Sequence, residues 1–131
     1  GDGVSDIDIT ALVDFHHSHN SPATLTAITH RNRFGVLEVN SEQNVLDFRE
    51  KSNDQNHFIN GGFFVLSPDV INLIQDDQTV WERDPLETLA ASNQLKAFTH
   101  KGFWHPMDTL RDKKFLEDLW ASGNPPWKTW Q

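Results

Sequence analysis

The sequence predicts an α/β or α+β sandwich, in which helices flank a mixed β-sheet. A hydrophobic fraction of 37% and an aromatic fraction of 11% in 131 residues are typical of a globular chain with a buried core. Strand-like and helix-like segments follow one another without strict alternation, which indicates such a sandwich. No repeat and no linker composition separates them, so we expect a single domain over residues 1–131.

The first part of the chain is predicted to contain a helix and a strand. Ser5 and Asp8 have the spacing of a capping box, and apolar residues at helical spacing follow, which predicts a helix over residues 6–19. The β-branched segment 23–30 predicts a strand. A Gly-Asp-Gly turn without an initiator methionine opens the chain, so we expect it to be a piece of a longer protein.

The middle of the chain is predicted to be mostly strand. Segments 34–39 and 45–50 alternate apolar and polar residues, and the polar sequence NSEQN between them predicts a hairpin. Segment 58–67 is typical of a buried strand. Gly61 and Gly62 lie inside that strand, which indicates either a bulge or the close approach of a ligand or a second backbone.

The remaining elements follow from helix and strand signals. They are a short helix from Pro68, a helix over 84–93, a strand over 94–100 and a helix from Thr109 to Gly123. Proline at the first turn, and asparagine or glycine after the last, set the helix bounds. Thr109 and Asp112 have the spacing of a second capping box.

The composition argues against several functional classes. The formal net charge is −8 and no long basic cluster occurs, so we expect no nucleic-acid partner. The absence of cysteine excludes a disulfide framework and a thiolate metal site. No apolar run has the length of a membrane span, so we expect no membrane partner and a cytoplasmic location. An acidic chain that handles phosphorylated substrates needs a metal ion or a few well-placed lysines and arginines.

Asp108 lies where a turn passes into the last predicted helix, in the segment GFWHPMDTLRDKK. Two interpretations are open: Asp108 caps that helix, or it is a metal ligand fixed by the aromatic residues before it. Asp2 is a common residue in a turn such as Gly-Asp-Gly. The histidine-rich segment 16–19 resembles a metal cluster, but nothing nearby completes a ligand set, so we expect a solvated helix end.

Glu50 and Lys51 lie at the predicted end of a strand. A carboxylate can accept hydrogen bonds from sugar hydroxyls and an ammonium can bind a phosphate, although a solvated ion pair is the commoner role of such a dipeptide. Gly35 offers a backbone N–H at the start of another strand. Taken alone, none of these signals identifies a site.

Seven segments of the chain together resemble one family. GDGVSDIDI, RFG, FREK, INGGFFVL, WERDPLETLA, FWHPMDTLRDKK and PWKTW occur in the order and at the spacing seen in the sugar-phosphate nucleotidyltransferases. The resemblance extends from Gly1 almost to Gln131, and it implies the second half of a Rossmann-like nucleotidyltransferase sandwich. Segments INGGFFV and FW-PMDTLRDK favour the branch that transfers a cytidylyl group.

The resemblance implies two groups of site residues. It makes Asp2 and Asp108 the ligands of Mg²⁺. It assigns the sugar-phosphate site to Gly35, Glu50, Lys51, Asn60 and Gly61. Within that site Lys51 contacts the phosphate and is the catalytic residue. Trp81 and Glu82 lie in a matching segment without an assigned role.

The implied reaction transfers the cytidylyl group of CTP to glucose-1-phosphate and gives CDP-glucose and pyrophosphate. The family's glycine-rich nucleotide loop has no counterpart in the sequence, so we expect the isolated chain to be inactive. The intact enzyme is expected to be a homo-oligomer that provides CDP-glucose for polysaccharide biosynthesis. Two alternatives stay open: a uridylyl or thymidylyl transferase, and a non-catalytic sugar-binding or structural module. Ser52 and His105 depart from the family pattern, so it stays open how the site fits its substrate.

Overall fold

A computed structural model of the chain describes residues 2–29, 36–39, 41–49 and 58–131. Within these ranges a five-stranded mixed sheet and a separate two-stranded sheet form, with helices flanking them. The α/β class predicted from the sequence is therefore confirmed.

The elements are bounded as follows. The strands are β1 (Gly3–Ser5), β2 (Ala23–Thr29), β3 (Val36–Val39), β4 (Val45–Arg49), β5 (Phe58–Leu66), β6 (Leu95–His100) and β7 (Trp104–Pro106). The helices are α1 (Ile9–Ser18), a 3₁₀ helix (Pro68–Leu73), α2 (Asp84–Ala91) and α3 (Leu110–Ala121).

The larger sheet has the strand order β4-β3-β5-β2-β6. Strands β3 and β4 pair antiparallel, as the predicted hairpin requires. Strand β2 pairs antiparallel with β5 on one side and parallel with β6 on the other. The sheet is therefore mixed, with one parallel pair, β2 with β6, beside the antiparallel pairs.

The main core lies between this sheet and α2. Leu25 of β2, Leu86 and Leu89 of α2, and Leu95 of β6 are at most 1% exposed and belong to one apolar cluster. Full burial of one leucine side chain contributes about 1.5–3 kcal/mol to stability. The six described residues Ala23–Ile28 of β2 are all buried, as expected for an inner strand covered on both faces.

Helix α1 begins later than the sequence predicted. The N-cap is Asp8, whose Oδ1 accepts the backbone N–H of Ala11 at 2.9 Å. The predicted capping box with Ser5 is wrong, because Ser5 lies in β1 and its hydroxyl donates to the carbonyl of Phe103 at 2.7 Å. The hydroxyl that was expected to cap a helix instead connects β1 to the segment before β7.

The other helix predictions are largely confirmed. Asn93 and Gly123, with φ of 61° and 86°, follow α2 and α3 in the left-handed conformation typical of helix ends. The segment that begins at Pro68 is a 3₁₀ helix of six residues. In the part of the chain that the structure describes, no helix is long and apolar enough to cross a membrane.

Candidate active site

The two-stranded sheet brings the predicted metal ligands to one place. Strands β1 and β7 run antiparallel, with Gly3 opposite Pro106, and the N–H of Met107 donates to the carbonyl of Asp2 at 3.0 Å. Asp2 precedes the first residue of β1, and Asp108 follows the last residue of β7 by two positions. The start of one antiparallel strand lies beside the end of its partner, so both exposed aspartates flank the same end of this sheet.

Asp108 is not the N-cap of α3, so this interpretation of it is wrong. The N-cap is Thr109, whose hydroxyl accepts the backbone N–H of Asp112 at 3.1 Å. The Asp112 carboxylate in turn accepts the backbone N–H of Thr109 at 3.2 Å, which completes the predicted capping box. Asp108 therefore lies one residue before the N-cap, on the turn that joins α3 to β7.

Asp112 has a second role, because its carboxylate also holds that turn. Its Oδ2 accepts the backbone N–H of Asp108 at 3.2 Å, and its Oδ1 lies 3.1 Å from Nε2 of His105. Asp112 is only 4% exposed. Burial raises the pKa of the Asp112 carboxyl, but hydrogen bonds from Asp108, Thr109 and His105 together outweigh that effect and lower the pKa below its ordinary value. Asp112 is therefore ionised at neutral pH.

Trp104 of β7 connects the small sheet to the larger one. Its indole Nε1 donates to the backbone carbonyl of Gly61 in β5 at 2.9 Å. A Cβ atom at Gly61 would lie 3.2 Å from the carbonyl oxygen of Thr26 and 3.3 Å from Cγ2 of Ile28. A side chain at this position would be tight against the neighbouring strand, so the close approach of β2 favours glycine here.

The glycine pair also forms the predicted bulge. The pairing of β2 with β5 shifts register, because Leu25 is opposite Phe64 whereas Ala27 is opposite Asn60. Gly62, with a φ of 84°, lies inside the irregular stretch of β5. Both interpretations of the glycine pair therefore apply: another backbone approaches Gly61 closely, and Gly62 lies in a bulge.

The resemblance places Asn60 beside the hexose. Both the oxygen and the nitrogen of its side-chain amide are hydrogen-bonded. Its Oδ1 accepts the backbone N–H of Gly62 at 2.8 Å, and its Nδ2 donates to Oε2 of Glu82 at 3.0 Å. Glu82 lies in the turn before α2, in the segment to which sequence analysis assigned no role. This contact joins two segments 22 residues apart, so only the tertiary structure reveals it.

The predicted site residues divide into two groups. Asp2, Asn60, Gly61 and Asp108 are described, and β7 links the strand end that carries Asp108 to β5, which carries Asn60 and Gly61. Gly35, Glu50 and Lys51 lie outside the described residues, so their roles stay predictions.

The donor atoms at Asp2 and Asp108 fit the predicted Mg²⁺. Mg²⁺ prefers one or two carboxylates together with phosphate oxygens and water, and two exposed aspartates at one strand end supply such a pair. Among the described residues, no group of three or more histidine, cysteine, aspartate or glutamate side chains is arranged to hold a metal ion without other ligands. A site of this kind would take its remaining ligands from substrate phosphates and water.

The histidine segment of α1 is not the solvated helix end that the sequence predicted. His16 is 7% exposed, with Nδ1 2.8 Å from the Thr24 hydroxyl and Nε2 3.1 Å from the Ser67 hydroxyl. Nε2 of His19 contacts the same Thr24 hydroxyl at 2.7 Å. These imidazole nitrogens form hydrogen bonds with hydroxyl groups of neighbouring elements, so the cluster has a structural role.

Three comparisons with known proteins agree with this architecture. The solved structure of HddC from Yersinia pseudotuberculosis matches with a TM-score of 0.72 over 87% of this chain and 50% of that chain, at 22% identity. The present chain therefore has the same α/β fold as that structure. The sequence profile described as nucleotidyl transferase matches residues 1–111, and the chain belongs to that family.

Curated relatives give a finer comparison. The chain is 56% identical over 131 residues to the glucose-1-phosphate cytidylyltransferase of Salmonella typhimurium, and 36% identical to the probable glucose-1-phosphate cytidylyltransferase of Bacillus subtilis. It is 32% identical over 120 residues to the mannose-1-phosphate guanyltransferase of Saccharomyces cerevisiae. The matches cover 100%, 99% and 88% of this chain. The chain spans about half the length of the first two relatives, 51% of each, and 33% of the third.

Proposed function

We propose that the chain is the sugar-phosphate-binding half of an enzyme that transfers a cytidylyl group from CTP to glucose-1-phosphate. The observation that carries this proposal is the hydrogen bond from Trp104 of β7 to Gly61 of β5. It joins the strand that ends beside Asp108 to the strand that bears Asn60. The predicted metal ligands Asp2 and Asp108 thereby belong to one connected structure with Asn60 and Gly61, the two predicted hexose residues that the structure describes.

The proposed reaction needs no protein nucleophile. A phosphate oxygen of glucose-1-phosphate attacks the α-phosphorus of CTP, the bond from that phosphorus to the bridging oxygen of the β-phosphate breaks, and pyrophosphate leaves with the electron pair. Positioning and charge neutralisation supply most of the rate enhancement in such a transfer. Lys51 would hold the attacking phosphate, and Asp2 with Asp108 would hold Mg²⁺. When bound, Mg²⁺ neutralises phosphate charge at the reacting centre.

The sugar end of the site would recognise hydroxyl groups. The carboxylate of Glu50 would accept hydrogen bonds from the hexose, and the backbone of Gly35 and Gly61 would line it. The Asn60 amide carries both donors and acceptors, and sugar hydroxyls need both. We propose these roles together with a homo-oligomeric cytoplasmic enzyme that supplies CDP-glucose for surface polysaccharide.

The identities favour cytidylyl over guanylyl transfer. The whole chain is 56% identical to a glucose-1-phosphate cytidylyltransferase, against 32% over 120 residues for a mannose-1-phosphate guanyltransferase. The test incubates the intact enzyme with glucose-1-phosphate, magnesium and CTP, UTP, dTTP or GTP, and measures pyrophosphate release. We expect kcat/KM for CTP to exceed the others by about tenfold or more. Preference for UTP or dTTP would support the related-transferase alternative, and no turnover with any nucleotide would support the non-catalytic module.

The same assay applied to the isolated 131-residue chain gives a second result. Because the nucleotide loop of the family has no counterpart in this sequence, we expect no measurable turnover from the chain alone. Robust magnesium-dependent turnover by the isolated chain would contradict the proposal that it supplies only the sugar-phosphate half.

A further inference from the structure

The side-chain amide of Asn60 is held between two fixed partners. The backbone N–H of Gly62 donates to its Oδ1 at 2.8 Å, and its Nδ2 donates to Oε2 of Glu82 at 3.0 Å. Gly62 lies in the irregular stretch of β5, and Glu82 lies two residues before α2. The amide thus bridges the sheet and the turn that leads into the helix.

These two contacts determine which way the amide faces. A rotation of the amide by 180° would place Nδ2 against the N–H of Gly62 and Oδ1 against the carboxylate of Glu82. Both contacts would then be repulsive, donor against donor and acceptor against acceptor. The N–H of Gly62 alone favours the observed orientation of the amide. The negative charge of Glu82 increases that preference, because hydrogen bonds to charged groups are stronger than those between neutral groups.

Glu82 is exposed, yet the turn that carries it is well held. The neighbouring Trp81 packs edge-on against Phe64 of β5, with ring centroids 5.6 Å apart and an interplanar angle of 89°. The carbonyl of Trp81 accepts the N–H of Leu86 at 3.2 Å, and the N–H of Arg83 donates to the carbonyl of Val80 at 3.1 Å. The backbone at Glu82 is therefore fixed relative to β5, and its carboxylate can act as a stable support.

An asparagine amide has two N–H donors and two acceptor lone pairs. Within the described residues, Gly62 uses one lone pair and Glu82 uses one N–H. One donor and one acceptor in a fixed arrangement are left for a ligand. A hexose presents neighbouring hydroxyls that both donate and accept, which suits this arrangement.

We propose that Glu82 is a positioning residue for the sugar: it does not contact the substrate, and it orients the Asn60 amide that does. This inference rests on the proposed function, in which Asn60 lines the hexose. It assigns a role to the segment WERD, which the sequence analysis left without one. An amide that is held before the sugar arrives binds it more tightly, because less freedom is lost on binding.

The experiment measures steady-state kinetics of the intact enzyme at saturating CTP. Glu82→Ala should raise KM for glucose-1-phosphate about 3- to 10-fold, with kcat within about twofold, because the contact serves binding equally in the ground and transition states. Glu82→Gln keeps a carbonyl oxygen that can accept from Nδ2, so KM should stay within about threefold of the wild type. Glu87→Ala, an exposed glutamate of α2, is the matched control and should leave both constants unchanged.

A double variant separates positioning from direct contact. Asn60→Ala should raise KM at least as much as Glu82→Ala, and adding Glu82→Ala to it should have no further effect. The inference is overturned if Glu82→Ala leaves KM unchanged, if its effect persists in the Asn60→Ala background, or if Glu82→Gln is as impaired as Glu82→Ala. A wild-type enzyme without turnover would instead overturn the proposed function, and the inference with it.

Discussion

The carboxylate of Asp112 accepts a hydrogen bond from the backbone N–H of Asp108 at 3.2 Å. Asp112 is buried in the first turn of α3, whereas Asp108 is exposed on the turn that precedes it. The predicted metal ligand is therefore held through its backbone by the start of the helix, and its own carboxylate does not cap the helix. The sequence left capping and metal binding as alternatives for Asp108; the capping box is formed by Thr109 and Asp112, and metal binding by Asp108 stays a prediction.

Asp108→Asn tests the metal role without disturbing the helix. The cap is formed by Thr109 and Asp112, so the melting temperature of the intact enzyme should change little. The loss of the negative charge should reduce turnover by about 10²-fold or more, which is typical of removing one electrostatic stabiliser. The measurement is a magnesium titration of turnover beside a melting curve.

Asp118→Asn is the matched control for this variant, because Asp118 lies on an exposed part of α3 and pairs only loosely with Lys114, at 3.6 Å. It should keep wild-type turnover at every magnesium concentration. Normal turnover by Asp108→Asn at the wild-type magnesium concentration would show that Asp108 is not a ligand.

Thr109→Ala tests the observed cap. Alanine cannot accept the N–H of Asp112, and loss of an N-cap side chain costs about 1 kcal/mol of stability. Urea denaturation of the intact enzyme should show this loss, whereas Thr109→Ser keeps the hydroxyl and should stay near the wild type. An equal loss of stability in both variants would indicate that the methyl group of Thr109, and not its hydroxyl, stabilises the helix start.

Trp104→Phe tests the link between the two sheets. Phenylalanine keeps an aromatic ring but removes the N–H that donates to Gly61 at 2.9 Å, which should cost about 1 kcal/mol of stability. KM for glucose-1-phosphate should also rise, because Gly61 neighbours Asn60. Trp130→Phe makes the same chemical change at a side chain that is 58% exposed, and it should alter neither quantity. If both variants have wild-type KM, the link does not support the sugar site.

The larger elements could be predicted because each has a local signal. Strand β5 is a nine-residue apolar segment, and α3 has a capping box at one end and a glycine at the other. Strands β1 and β7 have three residues each, too few for any periodicity to show. Their pairing depends on contacts about 100 positions apart in the sequence, such as that between Ser5 and Phe103. Sequence spacing therefore assigned Ser5 to a helix cap.

The site could be predicted from its segments but not from its contacts. The resemblance led to Asp108, Asn60 and Gly61, because each lies in one of its two most specific segments, INGGFFV and FW-PMDTLRDK. Trp104 and Glu82 also lie in matching segments, but their supporting contacts reach partners 43 and 22 positions away, which no local pattern indicates. For Asp112 the spacing to Thr109 predicted the capping box, but nothing local indicated the additional hydrogen bonds from His105 and Asp108.

The last prediction concerns the histidine cluster of α1. Nδ1 of His19 accepts the N–H of Ser21 at 3.1 Å, so a neutral His19 carries its proton on Nε2 and donates to Thr24. The Thr24 hydroxyl can then donate to Nδ1 of His16, whose Nε2–H donates to Ser67. Each neutral ring thus donates once and accepts once, and a proton added to either Nδ1 would face a donor.

The pKa values of both histidines are lowered. Burial is the larger cause for each; the charge of His17 adds to it for His16, and the charges of His16 and Lys96 add to it for His19. The unfolded chain takes up protons at these histidines near pH 6.5, whereas the folded chain resists them. Their contribution to stability is therefore complete above about pH 6.5 and is lost as the pH falls below that value.

The urea concentration at the midpoint of denaturation of the intact enzyme should therefore decrease as the pH is lowered from 7.5 to 5.5. Ordinary carboxylates stay ionised throughout this range. The double variant His16→Gln, His19→Gln removes both titrating rings and should flatten this dependence, even if it is less stable at every pH. His17→Gln, at an exposed position of the same helix, removes only the smaller cause of the lowered pKa of His16 and leaves burial in place, so its slope should stay much closer to the wild type than that of the double variant. A slope unchanged in the double variant would show that other groups cause the pH dependence and that the His16–Thr24–His19 network tolerates protonation.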